Sequence, residues 1–299
     1  MTPIKKLNHP LFKERKLDVY AKLDYLNHPQ IQGNKWHKLK GQFLQMQRHG
    51  YSEILTFGGA YSNHIAATAA ACQAQSIRVT AIIRGDELAN HPEKWSHTLH
   101  TARQNGMQFE FVSRADYRKR HQDEYLQSLQ QRYPNAWIVP EGGSNPAALI
   151  GLAKLAKDIE QQLPQWTDLI LPVGTGGTLA GLSRALSPIN TVGHTRTLHG
   201  ICALKDVEHQ SALIQTLIAQ APHCHYRLCD EFVDKGYGKE SNTLKQFRHQ
   251  FEQQFDLPLD PIYNNKSAYG MMQLIQRNHF AKGATLLWLH TGGLQGCAP

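Results

Sequence analysis

The sequence predicts an α/β protein of two lobes, each a mostly parallel open sheet flanked by helices. Three observations predict it. Short apolar, β-branched runs alternate with longer amphipathic runs from Leu17 to His290. Glycine-rich turns such as GGAYSNH, EGGSNPA and VGTGGTLAG sit where a strand-like run gives way to a helix-like one. No repeat of fixed period, low-complexity segment or Pro/Ser linker interrupts the alternation, so any division must be made by chain crossings. The glycine pair Gly142 and Gly143 closes the smaller unit, 50–141, which is inserted into a larger one formed by 1–49 and 142–299.

The elements follow in order. An irregular N-terminal arm precedes LDVYAKLD from Leu17, which alternates as a strand. Trp36, Leu39, Phe43 and Met46 recur at helical spacing, with Gly33 and Asn34 as turn and N-cap, so a helix begins at about Asn34. EILTFGG is a strand running into glycines, followed by an Ala-rich helix whose mouth carries Ser62, Asn63 and His64. The strand RVTAIIRG, the helix PEKWSHTLHTARQNG, the strand MQFEFVS, the helix DYRKRHQDEYLQSLQQRY and the strand AWIVPEGG continue the alternation. Asn145 and Pro146 open another helix, since Pro suits a first turn. The apolar strand DLILPVGTGG, the helix TLAGLSRAL, the strand TLHGICAL and a helix from about Val207 to Ala221 come next. The strand HYRLCDEF, the helices SNTLKQFRHQFEQQF and SAYGMMQLIQR, and the strand ATLLWLHTGG end the chain.

Composition narrows the function. At 299 residues, 41% hydrophobic and 19% charged, the chain is long enough for one large or two medium cores. Its 32 basic and 24 acidic residues leave a charge of +8, but the basic residues are dispersed among acidic ones, which points away from a nucleic-acid stripe. The five cysteines form no CxxC pair, which suggests reduced thiols in the cytoplasm, and HCHYRLC lacks a second ligand pair, so no metal is expected. MTPIKKLNHPLF has no apolar signal core, and no apolar run approaches the roughly 18 residues that a membrane span needs.

Two features carry the chemistry. Lys35 stands in the opening turn of its helix, where the positive end of the dipole favours the neutral amine, and a neutral amine can form a Schiff base with an aldehyde. Val173 to Gly181 reads as an apolar strand, a tight glycine turn and a helix N-terminus, which together present backbone N–H groups to a phosphate. A dinucleotide fingerprint would need glycine where Leu179 stands and an acidic residue downstream, but 169–205 contains no Asp or Glu. A nucleotide P-loop would need lysine at Leu182. What remains is a terminal phosphate held by Gly174, Thr175, Gly176, Gly177 and Thr178. Pyridoxal 5'-phosphate carries both that phosphate and the aldehyde.

GNKWHKLK, GGAYSNH, EGGSNPAALIGL, GTGGTLAG, DPIYNNKSAYG and HTGG occur in the order of the equivalent blocks of a known family. The chain resembles the D-cysteine desulfhydrase and 1-aminocyclopropane-1-carboxylate deaminase family of the tryptophan synthase β-like, fold type II pyridoxal-phosphate enzymes, from about Leu17 to Gly293. The resemblance implies that Lys35 binds the cofactor covalently and shuttles the Cα proton, that Ser62 faces the ring as acid/base or nucleophile, and that Asn63 bonds the ring 3'-oxygen. It places His64 at the substrate carboxylate, 174–178 around the phosphate, Tyr263 near the substrate and Thr291 opposite the pyridine nitrogen. Trp288 stands where deaminases of the family carry a second tyrosine, and the last block is HTGG. A homodimer is implied as well.

The expected activity is therefore that of a lyase on a small amino acid, most simply D-cysteine giving pyruvate, ammonia and sulfide. Deamination of 1-aminocyclopropane-1-carboxylate is the alternative within the same chemistry. A protein that binds a phosphate cofactor without turnover, with Lys35 solvated, is the alternative outside it.

Overall fold

The computed structural model describes residues 1–219, 223–236 and 240–297. In chain order its elements are β1 (Ile4–Leu7), α1 (Pro10–Arg15), β2 (Asp18–Leu23), α2 (Asn34–Arg48), β3 (Glu53–Gly58), α3 (Asn63–Ala74), β4 (Arg78–Arg84), α4 (His97–Gln104), β5 (Gln108–Val112), α5 (Arg114–Arg118) and α6 (Asp123–Arg132). They continue with β6 (Ala136–Val139), α7 (Pro146–Gln162), β7 (Asp168–Val173), α8 (Gly177–Ala185), β8 (Thr197–Cys202), α9 (Val207–Ile218), β9 (His225–Cys229), α10 (Asn242–Phe255), α11 (Asn264–Gln276) and β10 (Thr285–His290).

Two sheets result. The smaller has the order β5-β4-β3-β6 and is parallel throughout. The larger has the order β1-β2-β10-β7-β8-β9 and is parallel except for β1 against β2. Its central strands are buried on both faces. Leu286 and Trp288 of β10 enter one apolar cluster while Leu287 and Leu289 enter the other, as a period of two requires. The N-terminal arm is more regular than the sequence suggests. β1 escapes notice because an edge strand needs only one buried face, and Lys5 and Lys6 leave little apolar signal in IKKL.

Two further differences bear on the site. The run from Asp116 to Tyr133, which reads as one helix, is broken: α5 stops at Arg118, a 3-10 turn spans Lys119–His121, and Gln122 is extended before α6. The helix predicted from Pro92 begins only at His97, where Ser96 caps Leu99 N–H. The end of the predicted helix 207–221 lies partly outside the described residues, and α9 is described to Ile218.

α2 joins the two sheets. Leu39, Phe43 and Met46 pack into the core of the smaller sheet, although the sequence boundary at Gly50 grouped them with the larger unit. On its other side α2 crosses α7 so closely that a Cβ on Gly41 would overlap the Ala147 carbonyl and one on Gly151 would overlap the His37 carbonyl. Glycine is the side chain that lets two helix backbones meet there. Gly151→Ala should therefore cost at least about 2 kcal/mol, as overpacking commonly does. The check is the urea midpoint, and an unshifted midpoint would mean that the crossing can open freely.

Candidate active site

The cavity of about 460 Å³ between the sheets is lined at the mouths of α2, α3 and α8 and at the end of β10. Strand C-termini and helix N-termini converge there, the usual place for a ligand in open parallel sheets.

The first turn of α2 sets Lys35. Gly33 caps the helix at φ +60, and a Cβ on it would overlap the Thr291 carbonyl. Asn34 N–H donates to the same carbonyl at 3.3 Å, and its side-chain amide donates to Thr178 Oγ1 at 2.8 Å. Asn34 is thus the first helical residue, not the cap, and it ties Lys35 to the glycine loop. Burial pushes the Lys35 ammonium down to about 8. Desolvation is the cause, where the sequence argument had invoked the helix dipole.

Lys38, three residues on, is buried on the same side of the helix. It donates to Ser144 Oγ at 3.0 Å and to the Gly142 carbonyl at 3.1 Å, and Ser144 Oγ in turn lies 2.6 Å from Thr175 Oγ1. Burial, and then the charge of Lys35, hold Lys38 well below the ordinary lysine range. Sequence reasoning missed Lys38 and Ser144. The i,i+3 spacing from Lys35 was the available signal for the first.

Ser62 is the N-cap of α3, accepting from Ile65 N–H at 3.4 Å, and Asn63 opens the helix. Asn63 Oδ1 is buried without a hydrogen-bond partner while the residue faces the cavity. His64 lies below them, with Nε2 2.8 Å from Thr56 Oγ1 and Nδ1 3.5 Å from Thr68 Oγ1. Burial first, then Lys35 and Lys38, lower its pKa well below the usual value, so it is a neutral imidazole at the cavity floor with no charge to offer a carboxylate.

Gly174, Thr175, Gly176 and Thr178 line the cavity opposite, and Gly177 packs behind them against Ser144. The Tyr263 ring lies over Gly174. Thr291 donates N–H to Asn264 Oδ1 at 2.9 Å, and its hydroxyl sits 3.4 Å from the same oxygen. Asn264 is held by Asp260 Oδ1 at 2.6 Å, so a buried Asp–Asn pair, also unforeseen, fixes Thr291.

Trp288 is a correction. It is fully buried three residues inside β10, donates Nε1–H to Ser267 Oγ at 2.9 Å and meets Phe251 edge-on, away from the cavity. A strand side chain reaches a site at the strand's C-terminal end only from its last positions, and Trp288 comes too early.

The arrangement fits pyridoxal phosphate. A lysine of lowered pKa, a glycine turn at a helix N-terminus with two hydroxyls, and an unpartnered buried amide oxygen at Asn63 face one space. A family model described as pyridoxal-phosphate dependent enzyme matches residues 1–292. The chain belongs to that family. It is a pyridoxal-phosphate-dependent enzyme, and in this family the cofactor is the resident group. Over 304 residues it is 27% identical to a putative 1-aminocyclopropane-1-carboxylate deaminase of Pyrococcus horikoshii, covering 99% of this chain and 90% of the relative. It is 25% identical over 313 residues to the mitochondrial bifunctional D-cysteine desulfhydrase/1-aminocyclopropane-1-carboxylate deaminase of Arabidopsis thaliana, covering 99% and 77%. A solved structure of a homologue of 1-aminocyclopropane-1-carboxylate deaminase superposes with a TM-score of 0.80 over 99% of this chain and 90% of that one, at 24% identity, and shares the fold. Among the described residues no helix is long and apolar enough to cross a membrane, and no group of three metal-ligating side chains occurs.

The depressed pKa suits Lys35 to react with an aldehyde at moderate pH. Only the neutral amine attacks an aldehyde, and Lys35 becomes neutral near pH 8 where a solvated lysine would need about 10.5. Covalent uptake of pyridoxal phosphate by cofactor-free protein should rise from pH 6 to about 8 and then level. Absorbance after mixing checks this, and a rate still climbing at pH 10 would show an ordinary, solvated Lys35.

Proposed function

We propose that this enzyme is a lyase that removes the β-substituent of a small amino acid, with D-cysteine cleaved to pyruvate, ammonia and sulfide as the simplest case. The observation that carries the reading is Lys35, whose lowered pKa and place beside the 174–178 loop and Thr291 suit it to hold and move one proton at Cα. Pyridoxal phosphate, when bound, supplies the electron-withdrawing ring that makes that proton acidic. The residues of this chain supply the rest. Lys35, returned to the neutral amine, takes the Cα proton, and the free N–H groups at the mouth of α3 with Asn63 orient the substrate carboxylate. Ser62 stands at the same mouth, where its hydroxyl can pass a proton to the leaving group.

Thr291 favours elimination. Its neutral hydroxyl, bonded to Asn264 and not to a carboxylate, leaves the ring nitrogen without a fixed proton, so prompt loss of a β leaving group is favoured over a long-lived carbanion. Trp288, which lies in the core, plays no part in this choice. Ring opening of 1-aminocyclopropane-1-carboxylate is the second reading, favoured by the phenol of Tyr263 over the glycine loop. The enzyme would act in the cytoplasm, where its buried thiols, such as Cys72 raised by burial to about 12, stay reduced, and it would act as a homodimer.

The purified protein should be yellow, and Lys35→Ala should lose both the colour and all turnover. On a panel of D- and L-amino acids assayed for sulfide and 2-oxo acid, Ser62→Ala should slow desulfhydration by about 10- to 100-fold with the cofactor retained. Wild-type opening of the cyclopropane faster than cysteine breakdown would overturn the choice of reaction.

A further inference from the structure

The cleft does not end at Ser62. A second, open cavity adjoins it and shares Ala60, Tyr61, Arg84 and Arg120 with it. Its wall is strongly cationic. Arg84, Lys94, Arg114, Arg118 and Arg120 line it with one carboxylate, Glu87. Glu87 is engaged by Arg114 at 2.9 Å, and Arg120 is paired with Glu141 at 2.9 Å. Among the described residues Arg84 and Arg118 form no ion pair with a carboxylate, and Lys94 has only the longer-range attraction of exposed Glu93. Two unpaired guanidinium groups and a lysine facing one hollow raise the local concentration of an anion there.

The placement follows from the topology. Arg84 is the last residue of β4, and Arg118 and Arg120 follow β5, so the cations stand at the C-terminal edge of the smaller sheet, on the side where β3 runs into the turn before Ser62. Arg84 and Arg120 are both steered by one buried ring: their guanidinium carbons lie 5.9 and 4.7 Å from the centre of Tyr117. Arg84 Nη2 comes within 3.5 Å of where a Cβ on Gly59 would stand, three residues before Ser62. The guanidinium is thus beside the mouth of α3, on the path from the cleft into the second cavity.

We propose that the leaving group of the natural substrate carries its own negative charge, as a phosphate, sulfonate or carboxylate does, and that Arg84, with Arg118 beyond it, holds that charge. The proposal rests on the lyase reading and specifies its substrate: D-cysteine ends at a single sulfur and leaves the second cavity unused. An anionic β-substituent fills it. With O-phosphoserine, Lys35 takes the Cα proton, the electron pair of that bond forms the Cα–Cβ double bond, and the Cβ–O bond breaks with its pair going to phosphate. Water then hydrolyses the product to pyruvate and ammonia, with no change of oxidation state that needs a partner.

The test uses the holoenzyme and pyruvate release from O-phospho-D-serine and O-phospho-L-serine, against D- and L-β-chloroalanine as substrates with a small leaving group. The phosphorylated substrate of one hand should be preferred in kcat/KM, and inorganic phosphate should inhibit competitively. Arg84→Gln should lower the ratio of kcat/KM for phosphoserine over chloroalanine by roughly 10- to 100-fold, mostly through KM, as loss of a charge-assisted hydrogen bond does. Arg84→Lys should restore part of it, and Arg118→Gln should lower it less. Equal losses on both substrates would assign Arg84 to the α-carboxylate or to the fold and overturn the proposal. So would a wild type that cleaves chloroalanine but neither prefers phosphoserine nor is inhibited by phosphate. Absence of cofactor absorbance, or of pyruvate from every substrate, would instead overturn the lyase reading.

Discussion

The first turn of α2 is the constraint on which the rest of the site depends. It is fastened on every side. Gly33 N–H bonds the Asp24 carbonyl after β2, Asn34 bonds the end of β10 through the Thr291 carbonyl and the start of α8 through Thr178, and His37 bonds the Asp24 carboxylate at 2.8 Å. A turn and a half later, Gly41 lies on the backbone of α7. Lys35 is therefore set by backbone and side-chain hydrogen bonds of its own turn, the kind of support that holds a site in place. The ends of β2 and β10 and the start of α8 are tied to the same turn, so Lys35, the 174–178 loop and Thr291 keep their spacing together.

That rigidity has an electrostatic cost. Lys35, Lys38 and His64 lie close together in the interior; burial alone lowers Lys35, while Lys38 is lowered by burial and then by Lys35, and His64 by burial and then by both lysines. No carboxylate contributes to any of the three shifts, so nothing within the cluster offsets the lost hydration and each charged form is disfavoured. For Lys35 the neutral form is the useful one, and for Lys38 the two oxygen acceptors at Gly142 and Ser144 soften the burial. A buried cluster of bases without acids is what a site for an anionic cofactor requires, since an acid there would repel the phosphate.

Much of this was legible in the sequence because the signals are local. The alternation gave the two parallel sheets, glycine and capping residues marked the helix mouths, and Lys35, Ser62, Asn63 and the 174–178 loop stand at those mouths. What was not legible depends on facing and distance. Trp288 was placed near the substrate by its position along the chain, and the pleat of β10 turns it into the core. Ser144 and the Asp260–Asn264 pair act across more than 25 residues, which no local pattern encodes. The α2–α7 crossing could have been suspected from Gly41 and Gly151, but a mid-helix glycine by itself does not say what approaches it.

The broken helix after β5 borders the cavity. As a continuous helix, 116–133 would satisfy its local propensity, yet the chain interrupts it at Lys119–His121. The break sends Arg120 to Glu141 and Tyr117, and brings His121 across the mouth of the cleft to His209 of α9, with ring centres 5.7 Å apart. Sequences depart from local consistency where a site must be served. Here the departure sets Arg120 and His121 at the rim of the cleft, so the smaller sheet gives the cavity a cationic edge as well as a wall.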